Sequence, residues 1–139
     1  MYHYYGSCNC GSTHFEIELS AVISTYSARV CDCSFCASKN ARYLSDSGGW
    51  LKIRFSGAPD IFKQGSEQAE FLHCPQCGDM TCVICRIGSH YIGAINTSIS
   101  PIFDVLRAPV PVSPKLLSAR EKMDRWQSAW FPVDIEHYA

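Results

Sequence analysis

Short bursts of alternating apolar and polar side chains run along this chain, with the two-residue period of half-buried β-strands. Phe15, Ile17 and Leu19 alternate with Glu16 and Glu18, and Leu51, Ile53 and Phe55 alternate with Lys52 and Arg54. The mixed, β-branched stretch from Val22 to Val30 predicts a strand between these two. Phe71-Leu72-His73, the segment Thr81–Arg86 and the segment His90–Asn96 predict three more. Ser47-Gly48-Gly49 and Ser56-Gly57-Ala58-Pro59 supply turn chemistry between them. The period changes only late. Leu116, Ala119, Met123, Trp126 and Trp130 recur at three- and four-residue steps, which predicts a short helix over 114–127 with Ser113 as N-cap and Pro114 at its first position. Four prolines at 101, 109, 111 and 114 predict a wandering connection over 100–114, and the tail from Phe131 reads as irregular. The expected architecture is one mainly β domain spanning residues 1–139, with a single short C-terminal helix.

Bulk composition narrows the function classes. A chain of 139 residues that is 47% hydrophobic and 18% charged builds a real core, which excludes a disordered tail or linker. The formal charge of −1 and the lack of any Lys/Arg block speak against nucleic acid as a partner. No run approaches the roughly 18 apolar residues of a membrane span. The first residues lack a basic stretch followed by an apolar one, so no export signal is predicted. Nine cysteines, an odd number, then read as reduced thiols in a cytoplasmic setting rather than as a disulfide framework.

The cysteines are clustered. Cys31-Asp32-Cys33-Ser34-Phe35-Cys36 puts three thiols within reach of one point, the short spacing that suits a soft divalent ion. Cys74-Pro75-Gln76-Cys77-Gly78 is a zinc-knuckle signature, in which proline stiffens the turn and glycine lets the backbone fold back on the thiolates. Gly6-Ser7-Cys8-Asn9-Cys10-Gly11 has the same look. Cys82 and Cys85 are also separated by two residues, but on a strand they point to opposite faces, so they are expected in the core. His14 is expected at the rim and His73 at a strand end, neither as a ligand. Two groupings of the remaining seven thiols stay open. Cys8/Cys10 can join Cys74/Cys77 in a closed four-sulfur site, leaving Cys31, Cys33 and Cys36 as an open three-sulfur one. Alternatively, Cys33/Cys36 can join Cys74/Cys77 in an ordinary zinc ribbon.

The order and spacing of Gly6–Gly11 with Phe15, Cys31–Cys36, and Phe71 ahead of Cys74–Gly78 resemble the glutathione-dependent formaldehyde-activating enzyme (GFA) family, also called the centromere protein V family. The resemblance covers about residues 5–95. It implies a Mss4-like (β-tent) zinc-binding fold with two zinc ions, one structural at Cys8, Cys10, Cys74 and Cys77 and one at Cys31, Cys33 and Cys36. It also implies a carbon–sulfur lyase activity joining glutathione and formaldehyde, with the three-sulfur group as its catalytic centre. In the late part of the chain it implies an extended segment, where the periodicity predicts a helix. A tripeptide thiol brings two carboxylates, for which Lys39 and Arg42 are the expected partners. The expected partners are thus a small-molecule thiol and an aldehyde. Two rival readings stand beside this one: a non-catalytic zinc module that binds a protein, and a thiol redox enzyme using Cys82 or Cys85.

Overall fold

A computed structural model describes residues 1–63, 68–113 and 116–138. Its strands are β1 (Tyr2–Ser7), β2 (His14–Leu19), β3 (Ser27–Cys31), β4 (Tyr43–Leu44), β5 (Trp50–Ser56), β6 (Asp60–Lys63), β7 (Ala69–His73), β8 (Met80–Ile87), β9 (His90–Asn96), β10 (Arg107–Val112) and β11 (Phe131–Tyr138). Two α-helices accompany them, α1 (Ser34–Ser38) and α2 (Ala119–Ala129). The main path of the sheet runs β1-β2-β5-β11-β9-β4-β3-β10, and a branch adds β8, β7 and β6 to the other edge of β9. Pairing is antiparallel except for β11 on β5 and β10 on β3. Neither helix is long and apolar enough to cross a membrane.

Strand alternation divides the apolar residues into two clusters, one on each face of the β7–β8–β9 branch. Leu72, Cys82, Ile84 and Ile95 join Phe15, Ile17, Leu19, Leu51, Ile53 and Phe55 in the larger cluster. Phe71, Val83, Cys85 and Ala94 look the other way, into a second cluster with Cys31, Cys36, Tyr43 and Trp130. Cys82 and Cys85 therefore sit on opposite faces, both buried. The outer face of β5 is wet: Lys52 and Arg54 reach Glu136 at 3.3 and 2.9 Å, in exposed pairs that water and salt screen.

Four expectations from the sequence need correction. The helix is real but begins at Ala119, because Ser118 and Glu121 form a reciprocal capping box, with bonds of 3.1 and 3.0 Å. Ser113 instead donates to Asp32, and Pro114 lies outside the described residues. The tail is not irregular: Val133 to Tyr138 pair with Leu51 to Ser56, and Pro132 sits near the strand start, where a missing N–H costs least. The proline-rich connection contains a 3-10 turn (Pro101–Val105) and then β10, whose Pro109 and Pro111 are tolerated on the end strand of the path. Val22 to Val30 is a strand only from Ser27, after a 3-10 turn at Ile23–Thr25. The end strand β1 escapes sequence reading because none of its residues is fully buried and they carry no apolar alternation.

Gly49 marks a close approach between β2 and the start of β5. A Cβ there would stand 1.8 Å from the Glu18 carbonyl oxygen, whereas at Gly48 the nearest atom, a flexible Asp46 oxygen, is 3.4 Å away. Gly49→Ala is therefore expected to cost roughly 1–3 kcal/mol or more, while Gly48→Ala should stay within about 0.5 kcal/mol of wild type. Urea denaturation of the two variants beside the parent protein checks this. Equal midpoints would refute the contact argument.

Candidate metal centres

Two knuckles built alike bring four sulfurs together. In the first, Gly11 N–H donates to Cys8 O at 3.0 Å and Cys8 N–H to Thr13 O at 3.0 Å. In the second, Gly78 N–H donates to Cys74 O at 2.9 Å and Cys74 N–H to Asp79 O at 2.9 Å. Gly11 and Gly78 hold φ of +80° and +79°, the left-handed backbone that only glycine adopts without strain. Asn9 N–H on the Asp79 carboxylate, at 3.0 Å, ties one knuckle to the other. Cys8 Sγ then lies 3.5 Å from Cys10, 3.7 Å from Cys74 and 3.7 Å from Cys77, and Cys10 lies 3.8 Å from Cys74.

Sulfurs bound tetrahedrally at about 2.3 Å stand about 3.8 Å apart, close to these four separations, and all four sulfurs lie within 4.8 Å of one another. The surroundings favour the ionised form at Cys10 and Cys74, while burial raises Cys77. Burial raises Cys74, but the Ser12 and Thr13 hydroxyls and the backbone N–H groups of Cys77 and Gln76 outweigh it and bring the thiol to about 6. The Ser12 hydroxyl lies 3.0 Å from Cys10 Sγ and 3.2 Å from Cys74 Sγ. This grouping decides between the two schemes left open by spacing: Cys8 and Cys10 belong with Cys74 and Cys77.

The other three thiols form their own group, all within 4.8 Å of one another. Cys31 ends β3, Cys33 is the N-cap of α1 and Cys36 lies one turn into it. Cys33 Sγ accepts from Cys36 N–H at 3.4 Å, so the helix start itself folds two of the sulfurs together. Cys31 is brought down to about 6, chiefly by hydrogen bonding from the Cys36 thiol, which is raised in turn. The Tyr43 hydroxyl stands 3.1 Å from Cys36 Sγ. Burial, with the electrostatic effect of Cys36 second, raises Tyr43 far above its usual range, so it stays protonated beside the sulfur. Three donors leave a tetrahedral ion with one position to fill.

That group forms part of the wall of a cavity of about 320 Å³. Phe35 and Phe71, with rings 4.8 Å apart, line one side. Helix α2 lines another with Lys122, Arg125, Trp126 and Trp130, the two indoles stacked at 4.6 Å. Arg29 enters from β3, two residues before Cys31, and donates to Ser45 Oγ at 2.5 Å, which donates to Ala129 O at 2.8 Å. Burial, then the like charge of Arg125, lowers the Arg29 guanidinium from its ordinary value. Among the described residues, no acidic side chain pairs with Arg29, Lys122 or Arg125.

The chain has measurable likeness to a known structure. It is similar to a crystal structure of a Rhodobacter sphaeroides protein from a structural-genomics programme, at 28% identity and a TM-score of 0.55, over 78% of this chain and 98% of that one. No family model matches the chain, and no curated protein matches it.

The expected carboxylate partners, Lys39 and Arg42, do not line the cavity beside the three thiols. The chain turns at Asn40, whose φ is +51°, and heads away from the sulfurs. Arg42 N–H then bonds Asn96 Oδ1 at 3.0 Å, and its side chain lines a separate groove with Ser98 and Arg107. The Lys39 ammonium lies over the rings of Phe35 and Phe62, at 5.8 and 5.4 Å from their centroids. The cations that do face the cavity, Arg29, Lys122 and Arg125, were missed. Lys122 and Arg125 share the helix face of Trp126 and Trp130, and basic residues on an apolar face were the available signal.

Two divalent ions per reduced chain are expected by elemental analysis. Cys77→Ser should cost several kcal/mol or prevent folding, because binding energy at a closed site is folding energy. Cys33→Ser should keep the fold by circular dichroism and retain one ion. Equal loss of structure in both variants would contradict a division into a closed and an open site.

Proposed function

We propose that the protein is a zinc-dependent carbon–sulfur lyase of the GFA type, with a Mss4-like fold, that joins a thiol to an aldehyde or cleaves the adduct. The observation that supports this most is the three-sulfur group in the wall of a cavity lined by cations with which no acidic side chain among the described residues pairs. Zinc is the ion whose bond length and tetrahedral preference suit the four-sulfur group, and three soft donors suit it at the second. The resemblance of the cysteine spacing supplies the reaction class.

Cys31, Cys33 and Cys36 would hold the catalytic ion. Zinc there would supply a soft position at which an incoming thiol loses its proton near neutral pH. Tyr43 fixes Cys36 through its hydroxyl and, staying protonated, adds no negative charge beside the thiolates. Phe35, Phe71, Trp126 and Trp130 exclude water from the reacting sulfur. The chemistry balances without oxidant or reductant. A bond forms between the sulfur and the aldehyde carbon, the C=O π pair moves to oxygen, and that oxygen gains the proton equivalent the thiol has lost. The reverse direction breaks the same bond.

Exchange-resolved NMR on glutathione and formaldehyde tests the reading. Zinc-loaded protein should accelerate formation of the S-hydroxymethyl adduct above the uncatalysed rate, and Cys33→Ser should abolish the enhancement while remaining folded. Absence of acceleration with glutathione and with every other thiol–aldehyde pair tried would sink the proposal.

A further inference from the structure

We infer that the thiol this cavity accepts is a compact mercaptocarboxylate, its sulfur at the Cys31–Cys33–Cys36 group and its carboxylate between Arg29 and Arg125. The inference rests on the thiol–aldehyde reading and adds the substrate class and the residues that select it.

Arg29 and Cys31 are separated by two positions on β3, so they project from the same face, roughly 7 Å apart along the strand. Both line the cavity, and Arg125 faces Arg29 from helix α2. Two guanidinium groups with no acidic partner among the described residues repel each other unless an anion lies between them, and a carboxylate offers an oxygen to each. Arg29 is held in place from behind, since Ser45 links it to the last carbonyl of α2. A sulfur and a carboxylate separated by two carbons fit this spacing.

Charge and size agree with this. Among the described residues that line the cavity, three thiolates, one divalent ion and the cations Arg29, Arg125 and Lys122 sum to two positive charges. A bound thiolate that also carries a carboxylate neutralises both. The volume of about 320 Å³ lies at the small end of ligand pockets, which run from about 300 to 1,000 Å³. The stacked indoles of Trp126 and Trp130 offer an apolar wall to the short methylene chain.

Equilibrium binding to the zinc-loaded full chain tests this, read by calorimetry and by quenching of Trp126 and Trp130 in a Trp50→Phe background. The probes are 3-mercaptopropionate, 2-mercaptoethanol, glutathione and propionate. We expect 3-mercaptopropionate to bind at least about tenfold more tightly than 2-mercaptoethanol, and more tightly than glutathione or propionate. Arg125→Gln, on an exposed helix position, should erase most of that preference while affinity for 2-mercaptoethanol is kept, and Arg29→Gln should do the same. Equal binding of charged and neutral thiols, or a preference that survives both substitutions, would overturn the inference and leave the thiol reading intact. Tighter binding of glutathione would overturn the compact-ligand assignment. If no thiol binds, the reading of the site as a thiol centre fails, and the inference fails with it.

Discussion

Four sulfurs held within 4.8 Å of one another are the constraint from which the rest of the molecule follows. Thiolates that close repel unless a cation sits among them, and hydroxyls from Ser12 and Thr13 already favour charge on Cys74. The cluster joins the loop after β1 to the loop between β7 and β8, which are more than sixty residues apart in the chain. Fixing that pair of loops fixes the β7–β8 hairpin as a branch on β9. The inner face of the hairpin carries Phe71 and Val83, part of the wall of the cavity beside the other three thiols. The closed sulfur cluster thereby supports the wall beside the open one.

The two centres differ because their supports differ. The four-sulfur group rests on two turns, each held by its own backbone bonds and a glycine at positive φ. The three-sulfur group rests on a strand end and one short helix, and its nearest neighbour is a protonated tyrosine rather than another thiol. Around it the cations come from two separate elements, β3 and α2, with no carboxylate to neutralise them among the described residues. Arg29 and Lys122 are half-buried there, and Arg125 is exposed. The same arrangement gives α2 its role. No residue of Ala119–Ala129 is fully buried, yet one face of the helix supplies a wall of the cavity.

Cys82 and Cys85 show how local periodicity outweighs a motif. Their spacing copies a metal-binding pair, but β8 sends one into each apolar cluster, and burial raises both thiols. Buried, un-ionised thiols are poor nucleophiles, which weakens the redox reading that depended on them.

The sequence by itself determined the central strands β2, β5, β7, β8 and β9, because each has the alternation or apolar run that a buried sheet face requires. It also determined the knuckle turns, since a cysteine pair followed by glycine needs only local backbone geometry. It predicted a late helix but misplaced its start, because Ser113-Pro114 offered a cap as plausible as the Ser118–Glu121 box that is used. Only the tertiary structure decided which pairs of thiols meet, since spacing allowed two groupings and the choice depends on which loops the sheet brings together. It alone decided that residues 131–138 become a strand, because β11 needs β5 and β9 as partners from elsewhere in the chain. It also moved the cationic wall from Lys39 and Arg42 to Arg29, Lys122 and Arg125. Proximity in sequence to Cys36 could not foresee the turn at Asn40, and the residues that face the sulfurs arrive from a strand before them and a helix some ninety positions later.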